Sequence, residues 1–156
     1  MSDLHSLRLA VGSALVVAAR KWRRTVDGAL TAYNISEACA SPLLITARIG
    51  EGIHQVALAE QAGIEGPSLV RLLDQLCAAG LVRRKEDLDD RRAKTIWLTE
   101  EGRALTTEIE ENLLDLRERM LKGASREDLE ATMRVLNAVN APDLSVGAGP
   151  QATGKS

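Results

Sequence analysis

A long N-terminal apolar stripe sets the first limit on the fold. Leu4, Leu7, Val11, Leu15, Ala18, Trp22, Val26, Ala29 and Tyr33 recur every three or four positions, with Arg20, Arg23 and Arg24 off the stripe. This spacing predicts one long amphipathic helix. Such a helix exceeds what a small domain needs to cover itself, so its stripe is expected to meet another long helix or a second chain. Leu105, Ile109, Leu113, Leu116 and Met120 repeat the spacing after a Thr99-Glu100-Glu101-Gly102 start, and Leu129, Met133, Leu136 and Val139 repeat it after Ser125. Thr and Ser are apt N-caps and the early glutamates suit a helix start. The two ends of the chain are therefore expected to be partners.

Composition narrows the class. The chain of 156 residues has no phenylalanine and only 2% aromatics, so its core must be aliphatic, which suits closely packed helices and argues against an all-β fold. A net charge of −2 is at first sight wrong for a phosphate-rich partner, yet the stretch from Arg83 to Lys94 holds six basic residues against four acidic ones. Charge is patterned, and phosphate binding depends on local Lys and Arg. Cys39 and Cys77 have no CxxC or Cys/His neighbour, so neither a disulfide framework nor a metal is expected, and no cofactor. No run of about eighteen apolar residues and no signal peptide is visible, which predicts a cytoplasmic protein without a membrane partner. His5 and His54 lie far apart and in no HExxH, GxSxG or P-loop pattern, so an enzyme is not expected.

The middle of the chain differs in texture. A helix is predicted from about Ser36 to Ile49 and another from Gln55 to Ala62, after which Gly63 can end the helix with positive φ and Ile64 can plug the turn. Pro67 suits the first turn of the following helix because it has no N–H to leave unpaired. Leu69, Leu72, Leu73 and Leu76 form that helix's buried stripe, leaving Ser68, Arg71 and Gln75 outward. Residues of these types reach base edges and phosphates from a helix in the major groove of duplex DNA. An αα-hairpin with a polar face is also a common structural motif, so the helix pair alone leaves both readings open. The segment after Gly80 favours the first: Leu81–Lys85 and Thr95–Leu98 read as antiparallel strands, joined by a charged loop ending in Asp90-Arg91-Arg92. A hairpin in that place is a wing, and an arginine at its tip suits the narrow minor groove.

Leu58-Ala59, Gly63, Ser68, Arg71, Leu76, Gly80-Leu81-Val82, the run Asp87 to Lys94 and Leu98 to Gly102 together resemble the MarR family of bacterial transcriptional regulators. The likeness extends from the first long helix to about Val139. It implies a homodimer whose terminal helices interlock and hold two winged helix-turn-helix modules over a pseudo-palindromic operator. The expected fold is thus mainly α with a two- to three-stranded wing. Residues 1–34 and 99–140 would form the dimerisation region, 35–98 the DNA-binding module and 141–156 a mobile tail. Ser68 and Arg71 would face the major groove with Pro67 and Gln75 beside them; Arg91 would enter the minor groove, and Arg92 and Lys94 would be further DNA contacts. Asp90 and Arg92 would brace the wing by ion pairing. Leu88 stands where the family usually has proline.

The resemblance further implies a repressor released by a small aromatic or phenolic effector, with Trp22, Cys39, Leu43 and Arg48 as candidate pocket residues. Each also has a plain structural reading, as core, dimer contact or solvated charge. Thiol oxidation at Cys39 or Cys77 and a winged helix serving as a protein-interaction adaptor are the alternatives, the latter having no need of Arg91 or Ser68.

Overall fold

The computed structural model describes residues 3–141. The tail expected to be mobile lies, beyond Ala141, outside the described residues. The chain divides into two compact units between Arg117 and Glu118.

The first unit opens with α1 (Leu4–Leu30), continued by a 3-10 turn at Thr31–Tyr33. Asn34 ends it in the left-handed conformation, φ 53°, which asparagine adopts more readily than most residues. Next, α2 (Glu37–Ile49) is capped twice. Ser36 Oγ accepts from the Cys39 N–H at 3.2 Å, and Asp27 of α1 accepts the Glu37 N–H at 3.0 Å. The helix runs through Pro42, whose carbonyl accepts the Thr46 hydroxyl at 2.8 Å.

A short strand β1 (Ile53–His54) leads into α3 (Gln55–Ala62) and α4 (Gly66–Ala78), and the hairpin β2 (Val82–Glu86) and β3 (Lys94–Leu98) follows before α5 (Glu100–Met120). The three strands form one antiparallel sheet in the order β1-β3-β2. The architecture is the expected one, mainly helical with a small wing, and β1 is the third strand.

Helix α2 presents a different face to each of two aliphatic cores. Leu43 joins Leu58, Leu69, Leu73, Leu76, Val82, Ile96 and Leu98 beneath the helix pair and sheet. Ala40 and Leu44 join Leu30, Ile109 and Leu113 between α1 and α5. Each fully buried leucine contributes about 1.5–3 kcal/mol, so the helix pair is held rigidly on its support.

The hairpin is anchored to α5 through Thr99 and Gly102. Thr99 Oγ1 accepts from the Gly102 N–H at 3.0 Å and donates to the Gly80 carbonyl, while the Thr99 N–H donates to Leu81 O. A Cβ on Gly102 would stand 2.1 Å from the Leu81 carbonyl oxygen, so only glycine permits this approach.

In the second unit, α6 (Arg126–Val139) begins with a capping box: Ser125 Oγ accepts from the Asp128 N–H, and the Asp128 carboxylate accepts from the Ser125 N–H. The Ser125 hydroxyl, which donates to Asp128 Oδ2 at 2.7 Å, and then the Ser125 N–H hold the Asp128 carboxyl below its ordinary range. Leu129, Met133 and Val139 are exposed along this helix. No described helix is long and apolar enough to cross a membrane.

Candidate nucleic-acid interface

The helix pair α3–α4 turns at Gly63, φ 63°, whose N–H bonds back to Ala59 and Glu60 carbonyls. Ile64 N–H also returns to Ala59 O at 3.0 Å, and its side chain packs on the core. Pro67 lies in the first turn of α4, where a missing N–H costs nothing. Because Leu69, Leu73 and Leu76 are buried and Leu72 partly so, Ser68 and Arg71 are left exposed on the opposite side. Gln75 is exposed too, but its Oε1 accepts the Cys39 thiol at 3.2 Å. Its carbonyl thus faces α2 rather than open solvent.

The hairpin pairs from Val82↔Leu98 to Glu86↔Lys94. Its loop is wired by two aspartates. Asp87 Oδ1 accepts from the Asp89 N–H at 2.8 Å and Asp90 Oδ1 from the Arg92 N–H at 3.0 Å, with Ala93 N–H closing onto Asp90 O. The Asp90 carboxylate thus engages the loop at the backbone N–H of Arg92. The expected ion pair with the Arg92 side chain is not formed, since a carboxylate in an Asx turn is already engaged by the chain itself. Leu88 is fully exposed at the tip.

The other aspartate, Asp87, also meets His54 of β1, Oδ2 to Nε2 at 2.5 Å. The Asp89 N–H first, and then His54, hold the Asp87 carboxyl below its usual range. The sequence gives no sign of this tie between β1 and the loop, because nothing in a single His and a distant Asp signals a contact.

The cations of the hairpin divide into two groups. Lys94 pairs with Glu86 at 3.3 Å, Lys85 lies 4.4 Å over the Trp97 ring, and Arg84 pairs with Asp74 at 2.7 Å. By contrast, the side chains of Arg83, Arg91 and Arg92, and of Arg71 on α4, make no hydrogen bond or ion pair among the described residues, and all four are exposed. Lys94, expected among the DNA contacts, is already partnered within the hairpin.

The four candidate effector residues fall into two pairs, Cys39 with Leu43 in the core beneath the helix pair and sheet, and Trp22 with Arg48 elsewhere. Leu43 is wholly buried in the core, because the face of α2 that carries it packs on α3, α4 and the sheet. Trp22 and Arg48 line a crevice of about 160 Å³ with Leu44, Leu113 and Arg117. Cys39 lines a separate one of about 540 Å³ with Tyr33, Ile35, Gln75, Leu81 and Leu105. Arg48 also pairs with Glu110 at 2.5 Å. Burial pushes the Glu110 carboxyl up, but Arg48 and then Arg117 outweigh it and leave it below its ordinary value. Cys39 is buried and Cys77 half-buried, both as free thiols. No group of His, Cys, Asp and Glu among the described residues is arranged to hold a metal.

A helix-turn-helix seated on an aliphatic core and followed by a hairpin with unpaired arginines at its tip defines a winged helix-turn-helix protein. The sequence of residues 33–93 matches that of the MarR family. The transcriptional regulator PA3341 is 36% identical, with a TM-score of 0.77 over 83% of this chain and 95% of that one. CouR from Rhodococcus jostii RHA1, solved bound to p-coumaroyl-CoA, is 25% identical, with a TM-score of 0.76 over 85% of this chain and 93% of its own. A mutant MarR from E. coli, solved in complex with operator DNA, is 23% identical, with a TM-score of 0.76 over 90% of this chain and 100% of that one. At that identity the likeness is one of fold. The chain belongs to the MarR family of winged-helix, DNA-binding transcriptional regulators.

Proposed function

We propose that this protein is a dimeric, sequence-specific regulator that represses by occupying a pseudo-palindromic operator in the cytoplasm. The observation that carries the reading is the sorting of cations. Arg71, Arg83, Arg91 and Arg92 are exposed and unpartnered among the described residues, while Arg84, Lys85 and Lys94 are engaged within the protein. An unpaired arginine is the one free to displace counterions from phosphate or to enter a groove. In this reading Ser68 and Arg71 meet the major groove, with Pro67 at the start of the reading helix, and Arg91 enters the minor groove. Arg92 reaches phosphate, and Asp90 shapes the loop.

Residues 1–34 and 99–140 are the proposed dimerisation region. Leu4, Leu7 and Val11 on α1 and, separately, Leu129, Met133 and Val139 on α6 are exposed in the single chain, as befits surfaces that a partner covers. Two α4 helices about one turn of DNA apart, roughly 34 Å, would then read two half-sites.

Mobility shifts on the duplex upstream of the protein's own gene test the reading. A sequence-preferring complex at moderate salt is expected, and none would remove the regulator assignment. Arg91→Ala is expected to weaken binding about tenfold and to lower the salt slope by about two, the signature of one lost phosphate-region contact in each half-site of the dimer. Unchanged affinity and slope would remove the minor-groove role.

The effector is proposed to enter the crevice beside Cys39. Its volume of about 540 Å³ lies in the range of small-molecule sites, roughly 300–1,000 Å³, which the crevice beside Trp22 and Arg48 does not reach. An occupant would compete for the Cys39–Gln75 hydrogen bond and so act on α4 directly. CouR, with its acyl-CoA ligand, supports a small aromatic acid or its thioester as the class. Free p-coumarate and p-coumaroyl-CoA added to the mobility shift should each be tried, and if neither these nor other aromatic acids release DNA, the effector proposal fails. Oxidation is the weaker reading, since a sensing thiol should be exposed and Cys39 is buried.

A further inference from the structure

We propose that Arg84 is a positioning residue for DNA reading, fixing the wing against the recognition helix through Asp74 and Val70. The inference rests on the assignment of α4 and the wing as the DNA-reading elements. Side chains alternate along a strand, so Val82 and Arg84 leave β2 on one face and Arg83 and Lys85 on the other. Arg84 pairs across the sheet with Ile96, and Val82 with Leu98; Val82, Ile96 and Leu98 are all buried. Arg84 therefore emerges on the core side of the hairpin, toward α4, where an arginine needs fixed partners. It finds two on the helix: Nη1 lies 2.7 Å from Asp74 Oδ1, and Nη2 donates to the Val70 carbonyl at 2.9 Å. Its Nε is buried without a partner, a cost that a merely solvated surface arginine would not bear.

The two grips are one helical turn apart, so a planar guanidinium held at both sets the rotation of α4 about its axis as well as its distance from β2. Arg71, which directly follows Val70, is thereby aimed relative to Arg91 at the hairpin's tip. A second argument comes from sign. Asp74 places a negative charge on the exposed part of the helix that is to approach phosphate, with its side chain 60% exposed. Considered as charge alone, it opposes binding. Holding Arg84 gives it a reason to be there, and the two explanations predict opposite outcomes for its removal.

The test uses the full-length protein and an operator selected by the wild type from random duplexes. Asp74→Asn, Arg84→Met and the double variant are compared for operator affinity, preference over random duplex, salt slope and Tm. Each single change is expected to weaken operator binding about tenfold and shrink the preference, with the double no worse than either, because one coupled interaction is lost. The salt slope should not move. If Asp74→Asn binds operator as tightly as the wild type or more tightly, the positioning role is overturned. A slope lowered by about two in Arg84→Met, one for each protomer, with preference intact, would make Arg84 a phosphate contact instead. Should Arg84→Met fail to fold, Asp74→Asn, at an exposed position, still decides the matter. A wild type that selects no duplex would overturn the DNA-reading assignment itself, a result distinct from a selective wild type with unaffected variants.

Discussion

Replacing Gly102 with alanine is expected to lower stability by about 3 kcal/mol, at the upper end of what overpacking costs. The added Cβ would stand 2.1 Å from the Leu81 carbonyl oxygen, well inside van der Waals contact. Neither side can yield easily. Leu81 O is the acceptor of the Thr99 N–H, and Thr99 in turn bonds Gly80 O and the Gly102 N–H. Relief therefore requires separating α5 from the base of the hairpin and breaking this set of bonds. For a chain of this size the loss corresponds to a fall in Tm of about 6–12 °C, read by circular dichroism. Gly28 provides the comparison: it lies within α1, and an added Cβ meets nothing within 4 Å. Gly28→Ala should be neutral or stabilise by up to about 1 kcal/mol through helix propensity. A Gly102→Ala protein melting within about 2 °C of the wild type would show that α5 and the hairpin are not locked here.

That glycine shows what kind of information the sequence held. The Leu98 to Gly102 run was visible as a helix start and as part of a family resemblance, but the reason for glycine was a carbonyl from the other side of the hairpin. The helix pair was legible almost to the residue because its signals are local: Gly63 at the turn, Pro67 in the first turn and leucines at helical spacing. Strand β1 was not, since two residues are too few to show alternation. Arg84 was grouped with Arg83 and Lys85 as one basic cluster, although the period of two already separated it from them. The candidate effector residues are spread over separate surroundings for a related reason. Helix α2 packs on two cores, so Leu43 and Arg48 point to different surroundings, and one chain's periodicity does not say which face meets which neighbour. The wing's internal bonds, Asp87 to His54 and Asp90 to the Arg92 N–H, depend on loop geometry that no spacing rule encodes.

Leu7→Glu with Val11→Glu is expected to convert the proposed dimer into a monomer and to reduce operator affinity by about a hundredfold or more. Leu9, Val16 and Val17, off the apolar stripe of α1, are exposed as well. Between Leu4 and Val17 the only fully charged side chain is Arg8. A helix that is apolar on several faces is normally buried, and the single chain does not bury this one. The two readings of that half of α1 separate sharply under substitution. On a free helix, glutamate at two exposed positions would change stability by only a few tenths of a kcal/mol each. At a covered interface, it would place unpaired charge in an apolar contact at a cost of several kcal/mol. The loss of DNA affinity then follows from valency rather than from any lost contact, since Ser68, Arg71 and Arg91 would be untouched and each monomer would still recognise one half-site. Sedimentation at micromolar concentration should show the monomer, with helicity close to that of the wild type, and the mobility shift should show weakened, non-cooperative half-site binding. A variant that sediments as a dimer and binds operator normally would place the dimer contact elsewhere, and one that is monomeric yet binds normally would remove the two-fold reading of the operator.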